Sequence, residues 1–536
     1  MDRHARTRRQ FLFAGTAALA SARLFHARNA DFTAPPKEPS GHAQARLSSD
    51  SDSDLASLTL KDAADRIRTK SVTPSSLVEA CLRRIEIYNP KLNAFVTIMR
   101  EQAMAQARQL EAEQKRGTLR GPLHGIPIAL KDNIDTAGVR TSAASAVFAD
   151  RVPTEDAEVT RRLKAAGAII IGKVNLHEFA MGGTSATSYF GPVRNPWALE
   201  RSPGGSSGGS AAALSAELCY GALGTDTGGS IRTPASYCSI VGLKPTYGLV
   251  SIRGIVPLVW TLDHCGPMTR TVEDGAIMLQ ALAGYDRLDI ASVEHPAEDY
   301  VAAARQPVSG LRIGVARAPF FDLLDEDVAK VVDDALRVLE KMTKSVTDTM
   351  LPPTRDITVN AETYAYHEEM FARASGRYMI PTRRALQNGA NAKAAEYVRG
   401  HWRLELLRRT IDDAFKEVDL VVLPTRRRTP RTIDASIKRE ETDVPRNPEL
   451  ENTGAFNMYG IPAISIPCGF TSKGLPVGLM IAGPRFSEGK VLALAHAFEQ
   501  ATDFHAKKPP IRPDTPVPPL AATEEGKPTS PDFQLS

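Results

Sequence analysis

The sequence predicts an α/β fold in which helices pack on a mostly buried sheet. From residue 55 onward, helical segments alternate with short apolar runs of strand length, a pattern typical of layered α/β proteins. The runs at 126–130 and 420–423 are apolar throughout, which indicates strands inside the core. A composition of 42% hydrophobic and 24% charged residues over 536 positions is that of a globular protein with a large core.

The predicted elements follow in chain order. Helices are predicted at residues 60–69, 75–88, 100–116, 159–166, 271–283, 326–341, 397–415 and 491–501. Strands are predicted at residues 95–98, 126–130, 169–171, 311–315, 420–423, 463–466 and 477–481. Residues 350–395 and 424–450 show no regular pattern, so we expect irregular loops that face a substrate.

Residues 1–30 contain the parts of a twin-arginine signal peptide in the expected order: a twin-arginine motif, an apolar run and a small-residue cleavage site. The motif TRRQFL (7–12) overlaps an apolar run at 11–22, which ends in the small residues Ala20-Ser21-Ala22. This run is too short to span a bilayer. We therefore expect a periplasmic or otherwise exported bacterial protein, with the twin-arginine export machinery as a partner.

Two changes in composition bound the folded domain. Residues 31–54 are rich in Pro, Ser and Asp and are predicted to be a disordered spacer. Residues 507–536 contain many prolines and are predicted to be a disordered tail. The predicted folded domain is therefore residues 55–506.

Charge and cysteine usage exclude several classes of protein. The formal net charge is only +4, and Lys and Arg are scattered along the chain. The cluster RRR (426–428) is too short to indicate nucleic-acid binding, and we expect these arginines to be exposed in a loop. The five cysteines show no CxxC or Cys/His spacing, so a zinc site is not expected and most of them should be buried thiols.

The stretch 202–236, SPGGSSGGSAAALSAELCYGALGTDTGGSIRTPAS, contains two glycine–serine clusters, at 204–210 and 228–230. Glycine lets backbone N–H groups approach a ligand closely, and serine hydroxyls can donate, accept or attack. A flexible linker is the simplest interpretation of one such cluster. Two clusters separated by a structured segment favour a functional pair of loops instead.

Two chemical interpretations of these clusters lack supporting residues. A phosphate-binding loop would need GxxxxGK[ST], or GxGxxG after a strand, and neither is present. The segment 204–208 matches the G-x-S-x-G elbow of α/β-hydrolases, but turn-forming residues rather than a strand precede it. An elbow would also need a histidine base, and His264 is the only later histidine in a motif-like setting.

Eight stretches resemble the amidase signature family, in the order expected for that family. They are GIPIALKDNID (125–135), NLHEFAMGG (175–183), SPGGSSGGSAAA (202–213), GTDTGGSIRTPA (224–235), VGLKPTYG (241–248), LDHCGPMTRTVED (262–274), NMYGIPAISIPCG (457–469) and LPVGLMIAG (475–483). The resemblance covers residues 58–501. It implies the amidase signature fold, a single large domain whose mixed central sheet is covered by helices on both faces, and it implies no cofactor and no metal.

The resemblance also implies a Ser–cis-Ser–Lys catalytic unit. Carried over by motif, Ser230 is the nucleophile, Ser206 is the proton relay after a cis Gly205–Ser206 bond, and Lys131 is the base. The implied oxyanion hole consists of the backbone amides of Thr227, Gly228, Gly229 and Ser230. The acyl pocket is expected to include Met181, Gly182 and Gly183.

A lysine serves as a base only in its neutral form. The pKa of free lysine is ~10.4, which places the neutral amine roughly 4–5 kcal/mol uphill at pH 7. Lys131 follows the apolar run 126–130, and burial beside a strand would lower its pKa. The structural alternative for such a lysine is a salt bridge to Asp132 or Asp226, although Asp226 is also expected to form a structural ion pair with Arg232.

These residues predict an exported amidase that hydrolyses a carboxamide through an acyl-Ser230 intermediate. One alternative is an esterase or aryl-acylamide hydrolase at the same site. Another is the amidase-like subunit of a tRNA-dependent amidotransferase, which the export signal and the absence of a glutamine-site motif in 350–450 disfavour. A non-catalytic binding protein is disfavoured because Lys131, Ser206 and Ser230 occur together. The expected ligand is a small-molecule amide, with a homodimer left open and no nucleic-acid partner.

Overall fold

One mixed sheet of eleven strands crosses the part of the chain that the structure describes, residues 55–354, 357, 359, 361–442 and 452–521. The structure is a computed structural model. Its strands are β1 (Phe95–Ile98), β2 (Pro127–Lys131), β3 (Ile169–Val174), β4 (Gly221–Asp226), β5 (Val241–Lys244), β6 (His264–Thr269), β7 (Arg312–Ala316), β8 (Ser345–Thr349), β9 (Leu420–Pro424), β10 (Ala463–Phe470) and β11 (Pro476–Ala482).

The strands lie in the order β1-β3-β2-β4-β6-β5-β10-β11-β9-β7-β8. β2 pairs parallel with β3 and β4, and β7 pairs parallel with β8 and β9, whereas the other neighbours are antiparallel. The parallel pairs need long crossover connections, which the intervening helices provide. The predicted α/β class with a mixed central sheet is confirmed.

Fifteen α-helices in the described residues accompany the sheet. They are α1 (Leu60–Arg68), α2 (Pro74–Leu92), α3 (Arg100–Lys115), α4 (Glu158–Ala165), α5 (Gly208–Ser215), α6 (Arg232–Cys238), α7 (Val272–Leu282), α8 (Tyr300–Ala304), α9 (Glu326–Met342), α10 (Ala361–Ala374), α11 (Ile380–Gly389), α12 (Ala394–Thr410), α13 (Ile433–Glu441), α14 (Gly454–Tyr459) and α15 (Glu488–Gln500). None of these helices is both long enough and apolar enough to cross a membrane.

Alternate residues of the central strands enter two different apolar clusters, which shows that both faces of the sheet are covered. On β11, Leu479 and Ile481 belong to a cluster with α15, whereas Met480 and Ala482 belong to a cluster with α14. Successive strand residues point to opposite faces, so this division follows from the period of two. Helices therefore cover both faces, as the resemblance implied.

The segments expected to be irregular contain three helices. Residues 350–395 include α10 and α11, and residues 424–450 include α13. The expectation was wrong because these helices bury few residues: among the residues of α10, only His367 is buried. A helix of this kind shows little apolar periodicity in its sequence.

The predicted signal peptide and spacer, residues 1–54, lie outside the described residues, as does the end of the predicted tail at 522–536. Residues 507–521 run without a regular helix or strand, and Lys508 forms a 2.8 Å ion pair with Glu217. All five cysteines are buried and free, as predicted.

Candidate active site

Lys131 is the last residue of β2 and lies in the middle of the parallel part of the sheet. Its side chain is completely buried. Nζ donates to Ser206 Oγ at 2.7 Å and to Thr225 Oγ1 at 2.7 Å, with the Thr225 carbonyl oxygen at 3.5 Å. The partners of Lys131 are thus hydroxyl and carbonyl oxygens, rather than the carboxylates that the salt-bridge alternative required.

Burial lowers the pKa of Lys131 to about 7. Desolvation is the main cause, because removing an ammonium from water disfavours the charged form. The carboxylates of Asp226 and Asp263 act in the opposite direction and raise the pKa, but their effect is smaller. A substantial fraction of Lys131 is therefore neutral near pH 7, which is the form that can accept a proton.

Asp132, the other candidate salt-bridge partner, belongs to a separate buried cluster. Its Oδ1 atom lies 3.4 Å from Nζ of Lys173, and its Oδ2 accepts hydrogen bonds from the backbone and hydroxyl of Ser142. Lys173 Nζ also donates to Thr141 Oγ1 at 2.7 Å. This cluster fixes the loop after β2. Asp132 is therefore not a partner of Lys131, which bonds to Ser206 and Thr225 instead.

Ser206 lies in the loop that precedes α5 and is completely buried. The Gly205–Ser206 peptide bond is cis, as the resemblance implied. The carbonyl oxygen of Ser206 accepts from the backbone N–H of His177 at 3.1 Å and from Ser185 Oγ at 3.1 Å. These contacts hold the loop so that the Ser206 hydroxyl points at Lys131.

Gly205 is required by close packing. A Cβ atom there would lie 2.7 Å from the backbone nitrogen of Ser185 and 2.8 Å from that of Thr184. Real Cβ contacts are essentially never that short, and backbone atoms cannot move aside as a flexible side chain can.

The elbow interpretation has no support at this loop, because the residues before Ser206 form no strand.

Ser230 lies in the loop between β4 and α6, next to the Ser206 loop. The backbone N–H of Ser207 donates to the carbonyl oxygen of Ser230 at 3.2 Å, which ties the two loops together. Ser230 is 9% exposed, whereas Ser206 is fully buried. Ser230 is therefore the serine that a substrate in the adjoining cavity can reach.

Asp226, at the end of β4, organises the Ser230 loop. Its Oδ1 accepts from the backbone N–H of Gly229 at 2.7 Å, and its Oδ2 accepts from that of Ile231 at 3.0 Å. The Gly229 amide is thereby directed at a carboxylate. In the described part of the chain, the amides of Thr227, Gly228 and Ser230 have no such acceptor. Of the four amides in the implied oxyanion hole, the Gly229 amide is thus the one that donates to a carboxylate in the described residues.

Asp226 and Arg232 form the expected ion pair, and both are completely buried. Arg232 Nη2 lies 2.9 Å from Asp226 Oδ1, and desolvation of the carboxylate is outweighed by this arginine, so the pKa of Asp226 lies well below its usual value. Asn457 of α14 donates to Asp226 Oδ1 at 2.8 Å and accepts from Arg232 Nη2 at 2.7 Å. The network connects the NMYG stretch (457–460) to the loop between β4 and α6 that holds Ser230, here called the nucleophile loop.

Thr227 makes a second carboxylate contact behind the loop. Its hydroxyl donates to Asp263 Oδ1, which also accepts from the backbone N–H of Val259. Burial raises the pKa of Asp263 to about 6. Sequence reasoning missed both this contact and the role of Thr225, although both threonines stand within the GTDTGGS stretch.

His264 has a structural environment. Its Nδ1 lies 2.7 Å from the Leu262 carbonyl oxygen, and burial lowers the pKa of the ring well below its usual value. The ring stays neutral, and it packs edge-on against Tyr247 at 5.5 Å between centroids. The histidine that the elbow interpretation would need as a base is thus held neutral against a backbone carbonyl oxygen.

A cavity of about 1180 Å³ leads to Ser230. The residues expected to form the acyl pocket line it, together with the nucleophile loop and part of the Ser206 loop: Met181, Gly182, Gly183, Gly205, Thr227, Gly228, Gly229 and Ser230. The segment 424–431 and helix α13 also contribute to the wall. The site therefore combines a buried lysine–serine hydrogen bond with a second serine, Ser230, in the lining of a large cavity.

The expectation of exposed arginines at 426–428 was wrong for Arg427. This side chain is buried, with Nε donating to Asn452 Oδ1 at 2.6 Å and Nη1 donating to the Asp322 carbonyl oxygen at 3.0 Å. The fixed hydrogen bonds give Arg427 a structural role, whereas Arg428 is exposed. The sequence alone cannot tell which of three adjacent arginines in a loop is buried and which is exposed.

The Amidase family model matches residues 76–492, which identifies the class that the fold and site define. The chain belongs to the amidase signature family, whose members are enzymes acting on carbon–nitrogen bonds of amides. Among curated relatives, the glutamyl-tRNA(Gln) amidotransferase A subunit of Carboxydothermus hydrogenoformans is 40% identical over 490 residues, covering 85% of this chain and 100% of the relative. The corresponding protein of Geobacillus stearothermophilus is 40% identical over 475 residues, covering 83% and 97%.

Solved structures with the same fold include two amide hydrolases. The peptide amidase of Stenotrophomonas maltophilia is 32% identical with a TM-score of 0.76, and the match covers 86% of this chain and 99% of that one. The 6-aminohexanoate cyclic dimer hydrolase is 26% identical with a TM-score of 0.76, and the match covers 85% and 99%.

Proposed function

We propose that this enzyme cleaves a carboxamide through an acyl-enzyme on Ser230, with Lys131 as the base and Ser206 as the proton relay. The observation that carries the proposal is the 2.7 Å hydrogen bond from a buried lysine of lowered pKa to a serine hydroxyl beside the cavity. A serine hydroxyl is a weak nucleophile and needs a base, and a lysine qualifies only where burial favours its neutral form.

In the first step, Ser230 Oγ attacks the carbonyl carbon while its proton passes through Ser206 Oγ to Lys131 Nζ. The negative charge on the former carbonyl oxygen is stabilised by the amides of Thr227, Gly228 and Ser230. The C–N bond then breaks, and the proton returns through Ser206 to the leaving nitrogen. This releases ammonia or an amine and leaves an ester on Ser230.

In the second step, water attacks the ester with the same base, which releases the carboxylic acid and regenerates Ser230. An ester substrate would enter this sequence at the same point, because the machinery acts on the carbonyl group. Esterase or aryl-acylamide hydrolase activity therefore remains an alternative at this site.

A second candidate is an amidotransferase component, in which the released ammonia passes to an acceptor on a partner protein. The 40% identity to an amidotransferase A subunit, over 490 residues, supports this candidate. The sequence relatives favour it over a free-standing hydrolase, whereas the solved hydrolases of the same fold support hydrolysis. Both candidates share the acyl-Ser230 step.

The test is ammonia release from a panel of primary amides by the purified chain alone, with mass analysis of a trapped acyl group. Activity of the isolated chain, lost in Ser230→Ala and Lys131→Ala, supports hydrolysis. Activity that appears only after addition of partner subunits supports the amidotransferase candidate. An acyl adduct on Ser206, or full activity of Ser230→Ala, would refute the assignment.

We also propose export through the twin-arginine pathway and a periplasmic or otherwise exported location, on the basis of the motif at residues 7–12 and the apolar run after it. The test is fractionation of cells that express the full chain, compared with a variant in which Arg8 and Arg9 are replaced by lysine. Recovery of the unprocessed chain in the cytoplasm in both cases would refute export.

A further inference from the structure

We propose that the cavity above Ser230 selects amides that carry a carboxylate away from the scissile bond, bound by arginines of the segment 425–432 and of α13. This inference rests on the proposed function. It deepens that proposal by naming a substrate class. In the described residues, six cationic side chains line the cavity, against two acidic ones: Lys393, Arg426, Arg427, Arg428, Arg431 and Arg439 against Glu396 and Glu440.

The backbone of segment 425–432 is fixed against the serine loops. The N–H of Ser202 donates to the carbonyl oxygen of Arg431 at 3.0 Å. The hydroxyl of Tyr237, on α6, donates to the carbonyl oxygen of Arg428 at 3.1 Å. Arg428 and Arg431 are thus carried on a segment that is anchored to Ser202 and to α6.

Three of the cationic groups have no carboxylate partner in the described part of the chain: Arg428, Arg431 and Arg439. Arg427 differs, because its guanidinium is already occupied by Asn452 and by a backbone carbonyl. An arginine presents a fork of N–H donors that matches a carboxylate, and three such forks on one cavity wall favour an anionic ligand.

The acidic residues of the wall are already engaged. Glu440 Oε1 accepts from Thr184 Oγ1 at 2.8 Å, and its Oε2 accepts from Thr187 Oγ1 at 2.6 Å. Glu396 lies 3.8 Å from Lys393. The threonine hydroxyls do not cancel the charge of Glu440, but six cationic side chains against two acidic ones still make the lining net positive, and a net positive lining attracts negative charge.

The experiment compares monoamides of dicarboxylic acids with neutral amides of equal length. The pairs are succinamate with butanamide, adipamate with hexanamide, and suberamate with octanamide, and 6-aminohexanamide serves as a cationic probe. Ammonia release is measured for wild type, and binding to Ser230→Ala is measured by calorimetry at low and high salt. The binding measurement does not depend on turnover.

We expect at least one anionic probe to exceed its neutral partner about tenfold in affinity for Ser230→Ala and in kcat/KM, with the advantage reduced by salt. The double variant Arg428→Gln/Arg431→Gln should lose most of this advantage, in affinity as well as in kcat/KM. Arg512→Gln is the matched control, because Arg512 is exposed and does not line the cavity. Thermal unfolding of each variant checks the fold.

Equal binding of anionic and neutral probes at all three lengths, preference for the cationic probe, or an anionic advantage that survives the double variant would overturn this inference. Turnover of neutral amides with no charge preference would leave the proposed function standing. Conversely, selective binding of an anionic probe to Ser230→Ala, without turnover by wild type, would support the arginine site and count against the proposed reaction.

Discussion

The Nζ atom of Lys131 lies 2.7 Å from the Oγ atom of Ser206, in a place where neither side chain contacts solvent. β2 ends at Lys131, and the loop before α5 brings Ser206 to the same point from 75 residues further along the chain. Asp132 and Asp226, the salt-bridge partners considered from the sequence, are paired with Lys173 and Arg232 instead. No salt bridge to either of these carboxylates therefore competes with the hydrogen bond between Lys131 and Ser206.

The rate should depend on pH through Lys131. Because the neutral amine is the base and its pKa is about 7, kcat/KM should fall as pH decreases below 7, with a limiting slope of one in logarithmic units. Lys131→Ala should lower kcat/KM by about 10²–10⁴-fold and remove this acid limb. The measurement is a pH–rate profile between pH 5 and 9, with the folded fraction checked at each pH. A wild-type profile that is flat across pH 7 would contradict the role of Lys131.

Thr225→Val should shift that acid limb. Thr225 Oγ1 accepts a hydrogen bond from Lys131 Nζ at 2.7 Å, which favours the charged ammonium. Its loss should lower the pKa of Lys131 further, so the acid limb should move to lower pH. The hydroxyl also orients the amine toward Ser206, and we expect kcat to fall about tenfold.

Thr225→Ser is the matched control for this prediction, since serine keeps the hydroxyl and loses only a methyl group. It should retain the wild-type limb. A limb that moves to higher pH in Thr225→Val would show that the threonine does not stabilise the ammonium.

The sequence motifs pointed to the residues of the candidate site, whereas the hydrophobic pattern missed strands that carry them. β4, which leads into Ser230, reads GALGTD, and glycine and small residues give no apolar alternation. It is nevertheless completely buried, and it pairs with β2 on one edge and with β6 on the other. β6 was missed for a similar reason, since it contains Gly266 and Pro267.

The partners of the reactive residues could not be predicted from spacing. Asn457 lies 231 residues from Asp226, and only the sheet order brings α14 next to β4. Lys131, Ser206 and Ser230 were found because each stands in a distinctive local motif. Thr225 had no such signal, since a threonine inside a glycine-rich stretch is equally compatible with a turn.

Asp226→Asn should destabilise the protein strongly. The change leaves the Arg232 guanidinium without its carboxylate in a fully buried position, which costs about 3–5 kcal/mol. It also weakens the acceptor for the amides of Gly229 and Ile231, so kcat should fall in whatever fraction remains folded. Chemical denaturation and kcat at equal folded concentration are the measurements.

Asp419→Asn is the control for this comparison. Asp419 pairs with Arg312 at 3.2 Å near the surface, and the loss there should be only about 0.2–1 kcal/mol. Equal losses in the two variants would contradict the assignment of Asp226 as the buried organiser of the nucleophile loop.

Gly229→Ala and Gly228→Ala should differ sharply although they alter adjacent residues. Gly229 has φ +129°, and a Cβ atom there would overlap Thr453 Oγ1. Thr453 cannot move away without disturbing the hydrogen bond that its hydroxyl donates to the Gly228 carbonyl oxygen at 2.7 Å. At Gly228, an added methyl group would meet no heavy atom within 4 Å.

We expect Gly229→Ala to lose about 1–3 kcal/mol of unfolding free energy and most of its activity. Gly228→Ala should stay within about 0.5 kcal/mol of wild type, as measured by chemical denaturation. The reverse order of stability would show that the nucleophile loop does not have this backbone geometry.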